Sequence, residues 1–157
     1  MVDIKCITMK GGLISEAILR GYKKVENRKW VIKPGWYALH TGSGKIEKPT
    51  RIVITQNWPA GIPIPSDSEL PKAAIVGLIR IGSSTVMTEP NGWETGPILN
   101  HIIDTIRLET PIYNVKGNLG LWYAHKVISP NDLKILQSIA DTQTLINWLQ
   151  NYEVEEF

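Results

Sequence analysis

Between Ala73 and Ile81 the chain runs AAIVGLIRI, an apolar stretch rich in Ile and Val. A strand with one wet face alternates apolar and polar residues, so a continuous run predicts a strand covered on both faces or set at the seam of a barrel. The rest of the chain has to be arranged around that strand. With 157 residues, 43% of them hydrophobic, the chain can close one core and is expected to form a single domain.

The segments on either side supply the other layers. Ile4–Met9 is apolar and β-prone, Gly11 and Gly12 break it, and Leu13, Ile14, Ala17 and Ile18 recur at helical spacing up to Gly21, where a helix commonly stops. Lys24–Trp30 is expected to be extended, and Pro34-Gly35 turns the chain back. Trp36–Thr41 and Arg51–Thr55 read as strands around a glycine-rich loop, and the proline-rich stretch Gln56–Pro71 reads as loop. Ser83–Gly96 reads as turn and loop, Pro97–Thr105 as a short helix, and Ile106–Leu108 and Leu119–Val127 as the last strands. Ser129, Pro130 and Asp132 carry a hydroxyl cap, a first-turn proline and an acid at the positive helix end. Two helical pieces should follow. Ile135, Leu136 and Ile139 form one stripe, Leu145, Ile146, Trp148 and Leu149 the other, restarting at Asp141 or Thr142, and both stripes are expected to be buried on the barrel.

Charge and cysteine content narrow the setting. Seventeen basic against fifteen acidic residues leave a net charge of +2, so an anionic partner must be met by a local patch. The lone Cys6 rules out an internal disulfide and suits a reducing cytoplasmic or nuclear setting; in its apolar strand it reads as a packed thiol. No stretch has the length of a membrane span, and the first residues lack a leader pattern, so neither membrane insertion nor secretion is expected.

Chemistry concentrates in Gly21–Trp30. Side chains two apart on a strand share a face, which groups Glu26, Arg28 and Trp30. A carboxylate accepts from an exocyclic amine, a guanidinium forks onto ring acceptors or phosphate, and an indole stacks on a base. A solvated, salt-bridged edge strand has the same composition.

The spacing Gly21-x-Lys23-x-x-Glu26-x-Arg28, followed by Trp30, Gly35 and Leu39-His40, resembles the signature of ASCH domains in the PUA-like superfamily. Pro71–Gly77 and Lys116–Trp122 resemble that family's central and closing strands, in the family's order. The resemblance implies an α+β fold: a small curled β-barrel (PUA-like) with flanking helices, covering residues 1–129. The remaining 130–157 form a C-terminal helical extension packed on the same domain. It also implies a cleft for RNA or a nucleotide, lined by Lys23, Glu26 and Arg28. Certain small relatives hydrolyse N4-acylated cytidine with Lys, Thr and Glu, and carry Thr where this chain has Glu26.

Further candidates are aromatic or imidazole. Trp93 lies in a loop between Gly92 and Glu94 as a second stacking plate; Trp122 in the closing strand is either a cleft or a core residue; His40, on a strand face with Trp36 and Ala38, is a cleft residue or a satisfied core histidine. Gly42-Ser43-Gly44-Lys45 lacks the first glycine and the final hydroxyl residue of a phosphate loop, though its backbone N–H groups can still meet a phosphate. His40, His101 and His125 lack zinc spacing, so no metal is implied, and no cofactor is required.

Three readings stand. The first is a module binding RNA or a nucleotide through Lys23, Glu26, Arg28 and Trp30, with His40, Trp93 and Trp122 as further contacts. The second is a hydrolase on a modified nucleoside or on RNA, with Lys23 and Glu26 as acid and base. The third is a domain that binds a protein partner through its C-terminal helices.

Overall fold

The computed structural model describes residues 3–155. Its elements run β1 (Lys5–Met9), α1 (Gly12–Leu19), β2 (Val25–Arg28), β3 (Gly35–Thr41), α2 (Lys48–Asn57), β4 (Ala74–Val86), β5 (Ile98–Ile112), β6 (Leu121–Tyr123) and α3 (Pro130–Glu155), with short 3-10 turns at Asp67–Glu69 and Ala124–Lys126. The fold is α+β. Its six strands form one sheet in the order β2-β5-β4-β3-β1-β6, curled into a half-barrel. Among the described residues only β1 and β3 pair in parallel, with α1 and β2 in the connection between them.

One hydrogen bond measures the curl. Strands β2 and β1 stand four steps apart in the sheet order, roughly 19 Å if the sheet were flat. Yet an Arg28 Nη2 on β2 donates to the Thr8 carbonyl on β1 at 3.0 Å. Only a sheet bent back on itself brings the two within reach of one side chain.

Central strand β4 behaves as its apolar run predicts: Ala74 to Ile79 is buried on both faces, between β3 and β5. Ile75 and Leu78 join one core cluster with Cys6, Ala38, Trp122 and Leu136, while Ile79 and Ile81 join a second with Ile7, Ile18 and Leu39. Helix α1 ends as its glycine predicts, with Gly21 at φ +78° and its N–H bonded to the Ile18 carbonyl. That turn delivers Lys23 into a buried position.

Four local expectations are corrected. Arg51–Thr55 lies in helix α2, because Pro49 in the first turn favours a helix and packing of Ile54 with Leu13, Ala17, Ile46 and Trp58 outweighs the β preference of its branched residues. From Ile98 on, Pro97–Thr105 belongs to β5, because β4 continues through Ser83 to Val86, where turn and loop were expected, and needs a partner along its whole length. Register shifts between β4 and β5 break the alternation that would have marked a strand. Leu119–Val127 contains only the short β6 before a 3-10 turn.

The fourth correction concerns the C-terminus, which is one continuous helix without a restart near Asp141. Ser129 Oγ accepts from the Asp132 N–H at 3.1 Å, as the cap pattern predicts. Leu136 and Ala140 are buried on the sheet and Trp36 Nε1 donates to Thr144 Oγ1, but Ile135, Leu145, Ile146, Trp148 and Leu149, expected to be buried, are exposed. Stability should therefore divide at mid-helix. A chain ending at Pro130 should lose several kcal/mol, since each fully buried large apolar side chain contributes about 1.5 to 3 kcal/mol. A chain ending at Thr144 should lose much less, since it keeps Leu136 and Ala140 and removes mostly exposed side chains. Thermal unfolding of both truncations checks the contrast. No helix among the described residues is long and apolar enough to cross a membrane.

Candidate functional site

The bond between Arg28 and Thr8 lies beside a cleft of about 420 Å³ on the open side of the half-barrel. One wall is β2 with Lys23, Glu26, Asn27 and Arg28. Thr8–Lys10 at the end of β1 and Ile14 of α1 form its floor, Pro49 to Ile54 of α2 a second wall, and Trp93 with Thr95 a third. Asn118–Gly120 closes the remaining side. Its size falls within the range of small-ligand sites.

Charge in the cleft is organised around Glu26, which is buried. Its Oε2 stands 3.5 Å from Lys23 Nζ and its Oε1 accepts from Arg28 Nε at 3.2 Å. Lys23 Nζ also donates to the Val25 carbonyl. The triad carries two cations against one anion. Buried ion pairs add little net stability, because desolvation offsets the attraction, but removing one member leaves an uncompensated charge. Here the pairing holds the guanidinium in place, with Arg28 also 5.9 Å from the Trp30 ring centroid.

Beneath the triad lies Asn100 of β5, fully buried and directly opposite Glu26 in register. Its amide N–H groups donate to the Glu26 and Trp30 carbonyls, both at 3.2 Å. Its oxygen accepts from the Ile32 N–H at 2.9 Å and from Ser84 Oγ at 2.6 Å. All four hydrogen-bonding positions of the side chain are used. Asn100 thus fastens β2, with Glu26 and Arg28, and the turn after it that carries Trp30 and Ile32, to both β5 and β4.

Asn27 does the same for the aromatic wall. Its Nδ2 donates to the Trp93 carbonyl at 3.0 Å, and its Oδ1 accepts from the Thr95 and Gly96 N–H groups at 2.9 and 2.8 Å. The indole packs against the cluster containing Leu13, Ile54 and Trp58. Trp93 is therefore a plate fixed from behind.

Of the sequence candidates, Lys23, Glu26, Arg28 and Trp93 line the cleft, and Trp30, His40 and Trp122 do not. Trp30 is corrected to a half-buried position against the second core cluster, reaching the site only through Arg28. His40 and Trp122 belong to an internal relay. Trp122 Nε1 can only donate, and gives its hydrogen to Thr8 Oγ1 at 3.0 Å. The Thr8 hydroxyl is then free to donate to His40 Nδ1 at 3.1 Å, and His40 Nε2 donates to the Val115 carbonyl at 2.7 Å. This chain of donors requires a neutral imidazole protonated at Nε2. Burial lowers the His40 pKa and favours that neutral form. The ring packs edge-on to Trp122 at 5.3 Å.

Sequence reasoning missed Thr8, Asn27, Asn100 and Asn118. Asn27 lies between the two residues singled out on β2, but its partners are 66 or more positions away. Only the fold brings them together. The chain matches no protein-family model and no curated protein.

Proposed function

We propose that this chain is a binding module for a nucleotide or single-stranded RNA, of the ASCH type in the PUA-like superfamily, with the cleft as its site. The observation that carries this reading is the convergence of Glu26, Arg28 and Trp93 on one concavity. A carboxylate, a forked cation and an aromatic plate offer an acceptor, a phosphate or ring-edge donor and a stacking face. The half-barrel, with the Gly21–Arg28 segment at its opening, supports the family resemblance. Lys24 and Lys29 are exposed on the same segment and extend the positive rim.

Hydrolysis of an N4-acylcytidine or of RNA is the alternative, since Lys23 and Glu26 face each other within the cleft. That chemistry needs Glu26 as a proton acceptor, and both of its oxygens already serve cations. Each oxygen keeps a second lone pair that can accept from a base edge, so holding the two cations is compatible with the binding role.

With a small net charge and a local patch, binding should depend only moderately on salt. Neutralising roughly two to four phosphates of a single strand predicts a slope of log affinity against log salt of about −1.4 to −2.8. Titrating a short RNA at several salt concentrations checks this. No binding to RNA, DNA or free nucleotides at low salt would remove the reading.

A further inference from the structure

We infer that the ligand of this site is a strand of at least two nucleotides, and that a second cavity, separated from the cleft by Leu119, receives the neighbouring nucleotide. This rests on the nucleotide-binding reading above and adds to it the polymeric nature of the ligand.

The second cavity has a volume of about 590 Å³ and is bounded by His40, Gly42, Ser43, Lys116 and Gly117. It shares Thr8, Asn118 and Leu119 with the cleft, so the two lie on either side of one ridge. Each alone falls within the size range of a complete small-ligand site. A single nucleoside in the cleft leaves the second cavity and one side of the ridge uncovered.

The ridge is built firmly. At its start the Val115 N–H bonds the Ala73 carbonyl at 2.8 Å, and at its end β6 pairs with β1. Between them Gly117 rests on the relay below, where an added Cβ would stand 2.6 Å from His40 Cε1 and from Thr8 Oγ1. Only glycine allows that approach. The satisfied His40 relay is therefore the floor on which the ridge stands.

On the crest of this fixed ridge, Leu119 is 93% exposed. A large apolar side chain held out in water between two cavities has the placement of a wedge, which packs a base on each side and parts the two. Charge is arranged to match. Lys10 lines the cleft, loosely paired with Glu47 at 3.9 Å, and Lys116 lines the second cavity. Asn118 lines both and offers an amide donor at the crossing. A phosphate linking two nucleotides across Leu119 would pass between these donors.

Ligand length is the test. Calorimetric or fluorescence titration of the full chain would compare 5′-mononucleotides with mixed-sequence di-, tri- and hexaribonucleotides. The dinucleotide should bind roughly 5- to 150-fold more tightly than the best mononucleotide, the range expected for one further stacked base. Lys116→Ala and Leu119→Ser should each remove most of that gain, and Lys116→Ala should change mononucleotide affinity by no more than about two-fold, since the lysine lies outside the cleft. Mononucleotide binding with no gain on lengthening, or an equal loss for both ligands in Lys116→Ala, overturns this inference alone. Failure of every length to bind overturns both it and the reading on which it rests.

Discussion

Replacing Asn100 by Asp is expected to lower the free energy of unfolding by about 3 to 5 kcal/mol, the range for an uncompensated buried charge. The substitution changes little in volume, so packing is not the cause. The amide donates to the Glu26 and Trp30 carbonyls, and a carboxylate would turn its negative oxygens toward those same two acceptors. The contacts from Ile32 N–H and Ser84 Oγ cannot make up for two lost donors in a position with no access to water. Acidification should restore part of the stability, because burial raises the pKa of the introduced carboxyl, and its protonated form can donate again. Urea denaturation of Asn100→Asp at neutral and acidic pH measures both effects. Equal stability with the parent at neutral pH would mean that the end of β2 is held by something other than this amide.

Replacing Glu26 by Gln should weaken binding of RNA or nucleotide by about 1 to 3 kcal/mol, the range of a good base-edge contact. Glu26 accepts from Arg28 Nε and faces Lys23, so the neutral amide both loses a charged acceptor and loosens the guanidinium. A catalytic base gives a different signature. Gln would then leave affinity nearly intact while turnover fell by roughly 10²- to 10⁴-fold, and Lys23→Ala would be comparably damaging. Incubating the protein with N4-acetylcytidine and with single-stranded RNA, and weighing the products, separates the two. The binding role predicts no product. Cytidine or cleaved strands that vanish in both variants would make the hydrolase the right reading.

The residues of the site were legible to different depths. The close spacing of Lys23, Glu26 and Arg28 made them visible, because strand alternation and a short turn act over a few residues. Trp93 stood out as an indole in a loop, yet nothing near it pointed to Asn27 as its anchor. Strand alternation alone does not divide cleft from core for His40 and Trp122, and the structure places both in a relay beneath the ridge. Trp30 shares a predicted face with Arg28, but it packs against the second core cluster.

Local chemistry by itself determined the buried strand β4, the stop of α1 at Gly21, the serine cap of α3 and the charge cluster of β2, since each depends on side chains within a turn or a few strand residues. Whether Arg51–Thr55 would be helix or strand, and whether Pro97–Thr105 would pair with β4, lay with the tertiary structure. In both places the intrinsic preference is worth less than the packing partner that the fold provides. The cleft itself is of the second kind. It exists because the sheet curls until Arg28 on β2 reaches Thr8 on β1, and curl is a property of six strands together that no one of them carries.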